Sequence, residues 1–230
     1  MNNSLKRSFT ATLMAGMMAA SFGSHAAESA TLTVKGILTP GSCGIELANN
    51  GMIDHGSMTP AQVKAEYEFM DDTDGGTYDI IDQLEYTVHC DAATQVGLSI
   101  AADDEVNGGD NAADVSFTSL GKLPDGQTDI GMAFIAVNEQ PTVDAAVAPL
   151  LMSMQGNGSD WTTVVSFAPT GKYGQTPYLF TPGNENNNPV AFQNWVGNLQ
   201  VESSIKKTAL DKITQETPYE GTFTLTLSYL

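Results

Sequence analysis

Cys43 and Cys90 are the only cysteines of this 230-residue chain, and their thiols are the side chains best suited to covalent chemistry. In an oxidising compartment two such cysteines pair, so the sequence predicts a Cys43–Cys90 disulfide if the chain is exported. Two buried free thiols are the alternative. A zinc site is disfavoured, because no pair of histidines at a suitable spacing accompanies the cysteines.

Oxygen ligands for a hard cation are the second kind of chemistry in the sequence. Asp103, Glu105, Asn107 and Asp114 follow roughly the spacing of a calcium-binding loop, and Gly108 would permit the bend. Glutamate is unusual at the third position of such a loop, and aspartate is short for the closing bidentate ligand. A solvated acidic loop is the alternative. We predict no metal site and keep these four residues as the calcium candidate.

Residues suited to catalysis are scarce. Beyond the first 26 residues the histidines are His55 and His89, and no Gly-x-Ser-x-Gly turn, His-Glu-x-x-His helix or phosphate-binding loop occurs. With 27 acidic residues, pairs of carboxylates are inevitable and do not indicate a glycosidase. We therefore expect a protein that is not an enzyme and needs no cofactor.

Four aromatic residues could form a surface for carbohydrate: Trp161, Tyr173, Tyr178 and Trp195. An aromatic face can stack on a sugar ring, but a tryptophan on a strand more often belongs to a hydrophobic core. A glycan site is therefore an alternative to a structural role for these residues.

The first 26 residues have the features of a cleavable export signal. Lys6 and Arg7 precede an apolar stretch at 9–22, and Ser24 and Ala26 place small residues three and one before a cleavage point. The stretch is too short to span a bilayer of about 30 Å. We predict a signal peptide at 1–26 and an exported chain at 27–230 that is not embedded in a membrane.

The charge balance excludes one class of partner. The chain carries 27 acidic residues against nine lysines and arginines, for a net charge of −18. Nucleic-acid binding requires clustered basic residues, and an anionic membrane surface repels a protein of this charge. We therefore expect no nucleic-acid partner.

Hydrophobic residues recur at every second position along most of the chain, which predicts antiparallel β-strands with one face on a core. Stretches rich in Gly, Asn and Asp separate them. The predicted strands are 31–38, 84–90, 96–100, 130–136, 161–167, 178–180, 197–205 and 223–229, and short helices are predicted at 60–69 and 208–213. This pattern predicts one all-β domain at 27–230, either a sandwich or a barrel.

Short motifs at both ends resemble those of the DUF1120 family of exported, fimbria-like proteins and, more distantly, the pilin subunits of chaperone-usher fimbriae. Their order and spacing carry the resemblance, and 103–190 is covered only loosely. The motifs are Ala30-Thr-Leu-Thr-Val-Lys-Gly36, Thr39-Pro-Gly-Ser-Cys43, Cys90-Asp-Ala, Val96-Gly-Leu and the ending Leu225-Thr-Leu-Ser-Tyr-Leu230.

The resemblance implies an immunoglobulin-like β-sandwich of the pilin type, enlarged by inserted loops and strands. Pilin domains lack their last strand, and the groove this leaves is filled by a periplasmic chaperone and then by the N-terminal extension of the next subunit. The implied groove residues are Phe223, Leu225, Leu227 and Tyr229, and the possible donor or first strand contains Leu32, Val34 and Leu38. The implied partners are a periplasmic chaperone, an outer-membrane usher and other fimbrial subunits, and the implied location is the periplasm and then the cell surface or a fimbrium.

Two departures from the pilin pattern indicate either a terminal or capping subunit or an alternative function. Only 27–34 precede Lys35 after the predicted cleavage, whereas pilin donor extensions run longer. Thr217 stands where pilins tend to carry a glycine, and Gly221 follows four positions later. The alternative is a stand-alone periplasmic or surface binding protein, for a glycan or calcium, on a sandwich completed by its own chain.

Overall fold

The computed structural model describes residues 35, 41–71, 75–107, 115–156 and 158–230. The chain divides into two compact units, Met1–Leu38 and Thr39–Leu230, and the fold below is that of the second. The predicted signal peptide, the predicted strand residues Leu32, Val34 and Leu38, and Asp114 of the calcium candidate lie outside the described residues. The single domain at 27–230 stays a prediction. Among the described helices, none has the length and apolar character to cross a membrane.

The described chain consists mainly of strands, which confirms the all-β class. The strands are β1 (Cys43–Leu47), β2 (Glu68–Met70), β3 (Thr77–Thr94), β4 (Val96–Ala102), β5 (Glu105–Asn107), β6 (Ser116–Ser119), β7 (Gly131–Ala136), β8 (Thr142–Val143), β9 (Ala146–Val147), β10 (Leu150–Ser153), β11 (Thr162–Val164), β12 (Leu179–Pro182), β13 (Phe192–Lys206) and β14 (Phe223–Tyr229). The helices are α1 (Pro60–Glu66) and α2 (Lys207–Leu210), and a 3₁₀ turn spans Ala48–Gly51.

The strands form two antiparallel sheets. The larger has the order β1-β3-β13-β7-β6-β5, with β2 paired to β3, β8 to β13 and β9 to β8. The smaller has the order β11-β10-β12-β4-β14. Two separate sheets that share one core are typical of a sandwich rather than of a closed barrel.

The main core lies between the sheets. Four fully buried rings, Tyr86, Phe180, Phe192 and Trp195, form its centre. Trp195 packs edge-to-face against the other three at centroid distances of 5.4, 5.8 and 5.6 Å. Such perpendicular contacts bring positive ring edges to negative ring faces. The large aromatic side chains of both sheets thereby fix how the sheets pack.

A second core lies under the two helices. Val63 of α1 and Leu210 of α2 pack there with Ile80, Ile130 and other apolar residues. Helix α1 begins where the sequence predicts it, because Thr59 and Gln62 form a capping box and Pro60 occupies the first helical position. The second predicted helix is the short α2. The helices therefore cover a part of the larger sheet's inner face.

In the predicted strand 130–136, alternation from Ile130 places Met132 and Phe134 on the inner face, and this prediction is wrong. Ile130 lies before β7, which begins at Gly131. In the structure Ala133 and Ile135 are buried on the inner face. Phe134 packs on the outer face against Phe117 at 5.2 Å between ring centroids. The turn before β7 shifts the count by one residue, which exchanges the two faces.

Candidate functional site

The last strand, β14, is an edge strand of the smaller sheet. It pairs with β4 from Phe223↔Ala102 to Tyr229↔Val96, and in the described part of the chain no strand pairs with its other edge. β14 has seven residues, whereas β5 and β11, at edges elsewhere, have three each. Proteins commonly keep exposed edges short, because an open edge is a template for another strand. β14 is therefore the edge most suited to strand addition.

The register of β14 shows which backbone groups face the open edge. The N–H of Asp103 donates to the carbonyl of Thr222, and the N–H of Leu230 donates to the carbonyl of Gln95. In an antiparallel pair the bonded residues alternate, so the even-numbered residues of β14 bond to β4. The N–H and C=O groups of the odd-numbered residues, Phe223 to Tyr229, consequently point away from β4 to the open edge.

The side chains of the same residues point to the core. Phe223, Leu225 and Leu227 are half-buried against the main core, while Thr224 and Thr226 are exposed. An apolar side chain that is only half covered at an edge leaves room for a neighbour. These three predicted groove residues therefore combine backbone groups that pair with no described strand with incompletely covered apolar surface.

Strand β1 has the same arrangement in the other sheet. The N–H of Asp91 donates to the carbonyl of Ser42, so Ser42 is a bonded residue and Cys43 is not. The backbone groups of Cys43, Ile45 and Leu47 hence face the edge of β1 with which no other described strand pairs, and their side chains pack on the main core. The predicted disulfide is confirmed: Cys43 and Cys90 are bonded across the β1–β3 pair, with 4.1 Å between their Cα atoms.

The two free edges meet at one end only. Tyr229 is 52% exposed, unlike the other predicted groove residues, and its hydroxyl accepts a 3.0 Å hydrogen bond from the N–H of Cys43. From that contact β1 runs toward Leu47 and β14 runs back toward Phe223. The seam between these edges, the β1–β14 seam, is narrow at Tyr229.

A cleft of about 1040 Å³ adjoins the β1–β14 seam at Phe223, which is one of its lining residues. The segments 51–60 and 213–223 form its walls. Its floor is aliphatic and joins the main core to the second core. The floor residues include Val63, Leu84, Leu120, Ile135, Val201 and Ile205.

A hydrogen-bonded chain, Tyr219–His55–Asp82, connects the two walls to the larger sheet. His55 Nε2 lies 2.9 Å from Asp82 Oδ2, and His55 Nδ1 lies 2.6 Å from the Tyr219 hydroxyl. With the proton of the neutral ring on Nε2, the imidazole donates to the carboxylate and the phenol donates to Nδ1. Burial, with smaller effects of Tyr67, Asp82 and Asp54, raises the pKa of Tyr219 to about 12. The phenol therefore keeps the proton that it donates.

The sequence alone does not predict that Tyr219, His55 and Asp82 are hydrogen-bonded to one another. Asp82 lies on the core-facing side of β3 between Ile80 and Leu84, where the alternation calls for an apolar residue. A carboxylate at a core-facing position is the feature of the sequence that indicates a buried polar partner for Asp82. His55 supplies the partner that a carboxylate needs at such a position.

Asp103 and Glu105 of the calcium candidate bond to different protein groups. Asp103 Oδ1 accepts a 2.8 Å bond from Thr224, and Glu105 Oε1 accepts bonds from the Ser116 hydroxyl at 2.7 Å and the Gly174 N–H at 3.0 Å. In the described ranges no group of three or more His, Cys, Asp or Glu residues could hold a metal ion. With Asp114 outside these ranges, the calcium candidate is untested.

The four aromatic residues considered for a sugar site do not all lie at the surface. Trp195 is fully buried in the main core, and Trp161 precedes β11. Tyr173 is exposed, and Tyr178 precedes β12. His89 lies on the outer face of β3, and its Nδ1 is 2.9 Å from Asn194 Oδ1.

Comparison with known proteins supports the family resemblance over part of the chain. Residues 32–131 match the model of a family described as a protein of unknown function (DUF1120). No curated protein and no solved structure matches the chain. The matched segment includes the disulfide, β1 and β4 but not β14, so the interpretation of β14 depends on its geometry.

Proposed function

We propose that this chain is a fimbrial-type structural or adhesion subunit, assembled by strand complementation with a periplasmic chaperone and neighbouring subunits. One observation carries the proposal: Phe223, Leu225 and Leu227 turn their backbone groups to a long edge with which no described strand pairs, and their half-buried side chains to the core. Strand addition needs both, because main-chain hydrogen bonds supply affinity and pockets for alternate side chains supply specificity.

The β1–β14 seam gives the proposed mechanism its geometry. An added strand would pair with β14 and place its inward side chains between Phe223, Leu225 and Leu227 on one side and Ile45 and Leu47 on the other. The added strand would complete an immunoglobulin-like sandwich of the pilin type. The disulfide holds β1 on β3, so this wall of the seam stays in place when the strand enters. No catalytic step and no cofactor are involved.

Leu32, Val34 and Leu38 of a second copy are the proposed donor residues. They alternate in sequence, so their side chains would enter the same seam one after another. After export a strand of the chaperone would occupy the seam first. At the outer-membrane usher the donor strand of a second subunit would then replace it.

The cleft favours a second candidate function. Small-molecule sites commonly enclose about 300–1,000 Å³ with an apolar lining and a few polar groups. The cleft of about 1040 Å³, with His55 and Tyr219 in its lining, has this character. A stand-alone periplasmic or surface binding protein is therefore the alternative, with a glycan as the ligand class that the sequence suggested.

The test compares two neighbouring positions on β14. Leu227→Asp puts a charge into the seam, and the matched control Thr226→Asp puts the same charge on the exposed side. Both variants are expressed with the chaperone, and unboiled and boiled periplasmic and surface extracts are compared on denaturing gels. We expect boiling-sensitive complexes for the wild type and Thr226→Asp, and none for Leu227→Asp, because strand-complemented complexes persist through slow unfolding.

A loss of complexes supports the proposal only if the Leu227→Asp variant folds. Circular dichroism and protection of the disulfide from reductant give that second measurement, and Leu227→Ala provides a milder change with the same expected direction. Normal amounts of complexes from Leu227→Asp would overturn the proposal. Monomer alone in every lane for the wild type would favour the stand-alone binding protein.

A further inference from the structure

We propose that the strand added to the β1–β14 seam carries a lysine or arginine at the end that reaches the cleft. This inference rests on the proposed function and adds the chemistry of the partner strand. It follows from the position of the cleft, the composition of its floor and the charges at its rim.

The cleft continues the seam rather than forming a separate pocket. Gly51 ends the 3₁₀ turn that follows β1, and both Gly51 and Ile53 line the cleft. On the other side, Gly221 and Thr222 precede Phe223, the first residue of β14, and all three line the cleft as well. A strand paired along β14 past Phe223 therefore extends into the cleft. The end residue of the added strand would therefore contact the cleft lining, whereas its middle residues would lie between Leu225 and Ile45.

The floor and the rim differ in character. The floor consists of aliphatic side chains, such as Val63, Leu84 and Val201, whereas exposed carboxylates stand at the rim. The acidic rim consists of Asp54, Glu216 and Glu220. Lysine and arginine combine a long apolar stem with a charged head, so the stem covers apolar surface while the head stays at the polar margin. This is the side chain that fits a cleft with an aliphatic floor and an acidic rim.

Among the described residues that line the cleft there is no lysine or arginine, and the side chain of His55 is already bonded to Tyr219 and Asp82. The nearest lysines in sequence are committed elsewhere: Lys64 pairs with Asp211 at 2.5 Å, and Lys212 donates to Thr128 at 2.9 Å. The negative charge of the rim can therefore pair with a positive charge on a partner. An acidic partner strand would be repelled.

Other occupants fit less well. A sugar ring favours the faces of tryptophan, tyrosine or phenylalanine, yet Tyr219 and Phe223 are the only such side chains in the described lining, and Tyr219 is bonded to His55. A small amine with an alkyl chain shares the chemistry of a lysine side chain. Continuity with the seam favours the strand, and the experiment includes the amine.

The test uses the whole exported chain with its disulfide formed and a set of fluorescent peptides of equal length. All peptides share an alternating Val-Thr segment. One carries two lysines at its N-terminal end, one carries them at its C-terminal end, one carries glutamates and one is neutral. Binding is measured by fluorescence anisotropy at low ionic strength, and dodecylammonium serves as the small-molecule probe.

We expect one of the two lysine peptides to bind about threefold to tenfold more tightly than the neutral peptide, as suits a few partly exposed ion pairs. The end that gives the advantage also reports the direction of the added strand. The advantage should vanish in the rim variant Asp54→Asn/Glu216→Gln/Glu220→Gln. It should persist in the control Glu85→Gln/Asp91→Asn/Glu185→Gln, which removes three exposed charges outside the cleft lining.

The outcomes separate the two proposals. If the neutral peptide binds and lysines at neither end increase the affinity, the proposal of a basic residue at the end of the strand is wrong, while strand addition is supported. If no peptide binds, the proposed function fails. If dodecylammonium binds to the cleft and no peptide does, the cleft belongs to a small amphiphile and both proposals are overturned.

Discussion

The backbone N–H of Cys43 donates a 3.0 Å hydrogen bond to the hydroxyl of Tyr229, which lies 186 positions later in the sequence. Cys43 begins β1 of the larger sheet, and Tyr229 ends β14 of the smaller one. This bond therefore closes the Tyr229 end of the β1–β14 seam, along which neither strand pairs with a further described strand. The opposite end stays open as the cleft.

Tyr229→Phe tests how much this closure contributes to stability. The variant keeps the ring and removes the acceptor, and water can replace it at the exposed Cys43 N–H. We expect the free energy of unfolding in urea to fall by about 0.5–1 kcal/mol. Tyr173→Phe, at another exposed tyrosine, is the control and should have no effect. A loss of more than about 2 kcal/mol would show that the bond holds the sheets together.

The disulfide should contribute more than any single hydrogen bond. Cys43 and Cys90 are separated by 47 positions, and closing a loop of that size restricts the unfolded chain. The loop-entropy model gives about 4 kcal/mol. We expect Cys43→Ser/Cys90→Ser to lower the unfolding free energy by this order, measured in urea. A wild type whose stability is unchanged by reductant, with reduction verified by thiol titration, would contradict the prediction.

The strand pattern of the main core was predictable from the sequence because one rule sufficed. Leu84, Tyr86, Val88 and Cys90 alternate with polar residues, and the structure places all four in the core within β3. The same rule holds for β4. Alternation works there because each strand is buried on one face along its length.

The cleft was not predictable, because it depends on contacts between distant segments. His55 lies in a segment without regular structure, and its partners Asp82 and Tyr219 come from β3 and from the segment before β14. No local pattern relates these positions. The open edge of β14 was inferred only through the family resemblance, since alternation describes side chains and says nothing about which backbone edge is paired.

Gly197→Ala should destabilise the main core. Gly197 faces Tyr86 across the β13–β3 pair, and a Cβ atom there would lie 2.4 Å from the Tyr86 hydroxyl. The fully buried Tyr86 ring, which packs edge-to-face on Trp195, has little room to move. We expect a loss of about 1–3 kcal/mol in the free energy of unfolding. In the control Gly44→Ala, the new Cβ meets no atom within 4 Å, and stability should not change. Equal stability of both variants would mean that Tyr86 shifts without cost.

The last prediction concerns the pH dependence of stability. Glu202 lies on the outer face of the larger sheet, where the register places it between Ile81 and Phe134. Burial there, followed by the charge of Asp79, raises the pKa of Glu202 to about 7 from the usual 4.5. Asp79 is close because it precedes Ile81 by two positions on the same face of β3.

The sign of the effect follows from proton binding. Between about pH 4.5 and 7 the folded chain holds a proton on Glu202 that the unfolded chain releases. The contribution of Glu202 to stability therefore falls as the pH rises through this range. Glu202→Gln removes the ionisation, so it should unfold at higher urea concentration than the wild type at pH 8 and at about the same concentration at pH 4.

The expected gain at pH 8 is about 1 kcal/mol, because Glu202 is half-exposed and water screens part of the effect. Asp79→Asn should weaken the pH dependence without removing it, since burial is the larger cause and the Asp79 charge the smaller. Urea titrations of the three proteins at several pH values measure both. If Glu202→Gln and the wild type keep the same stability difference from pH 4 to pH 8, the carboxylate of Glu202 is hydrated in the folded chain, and the apolar neighbours Ile81 and Phe134 do not cover it.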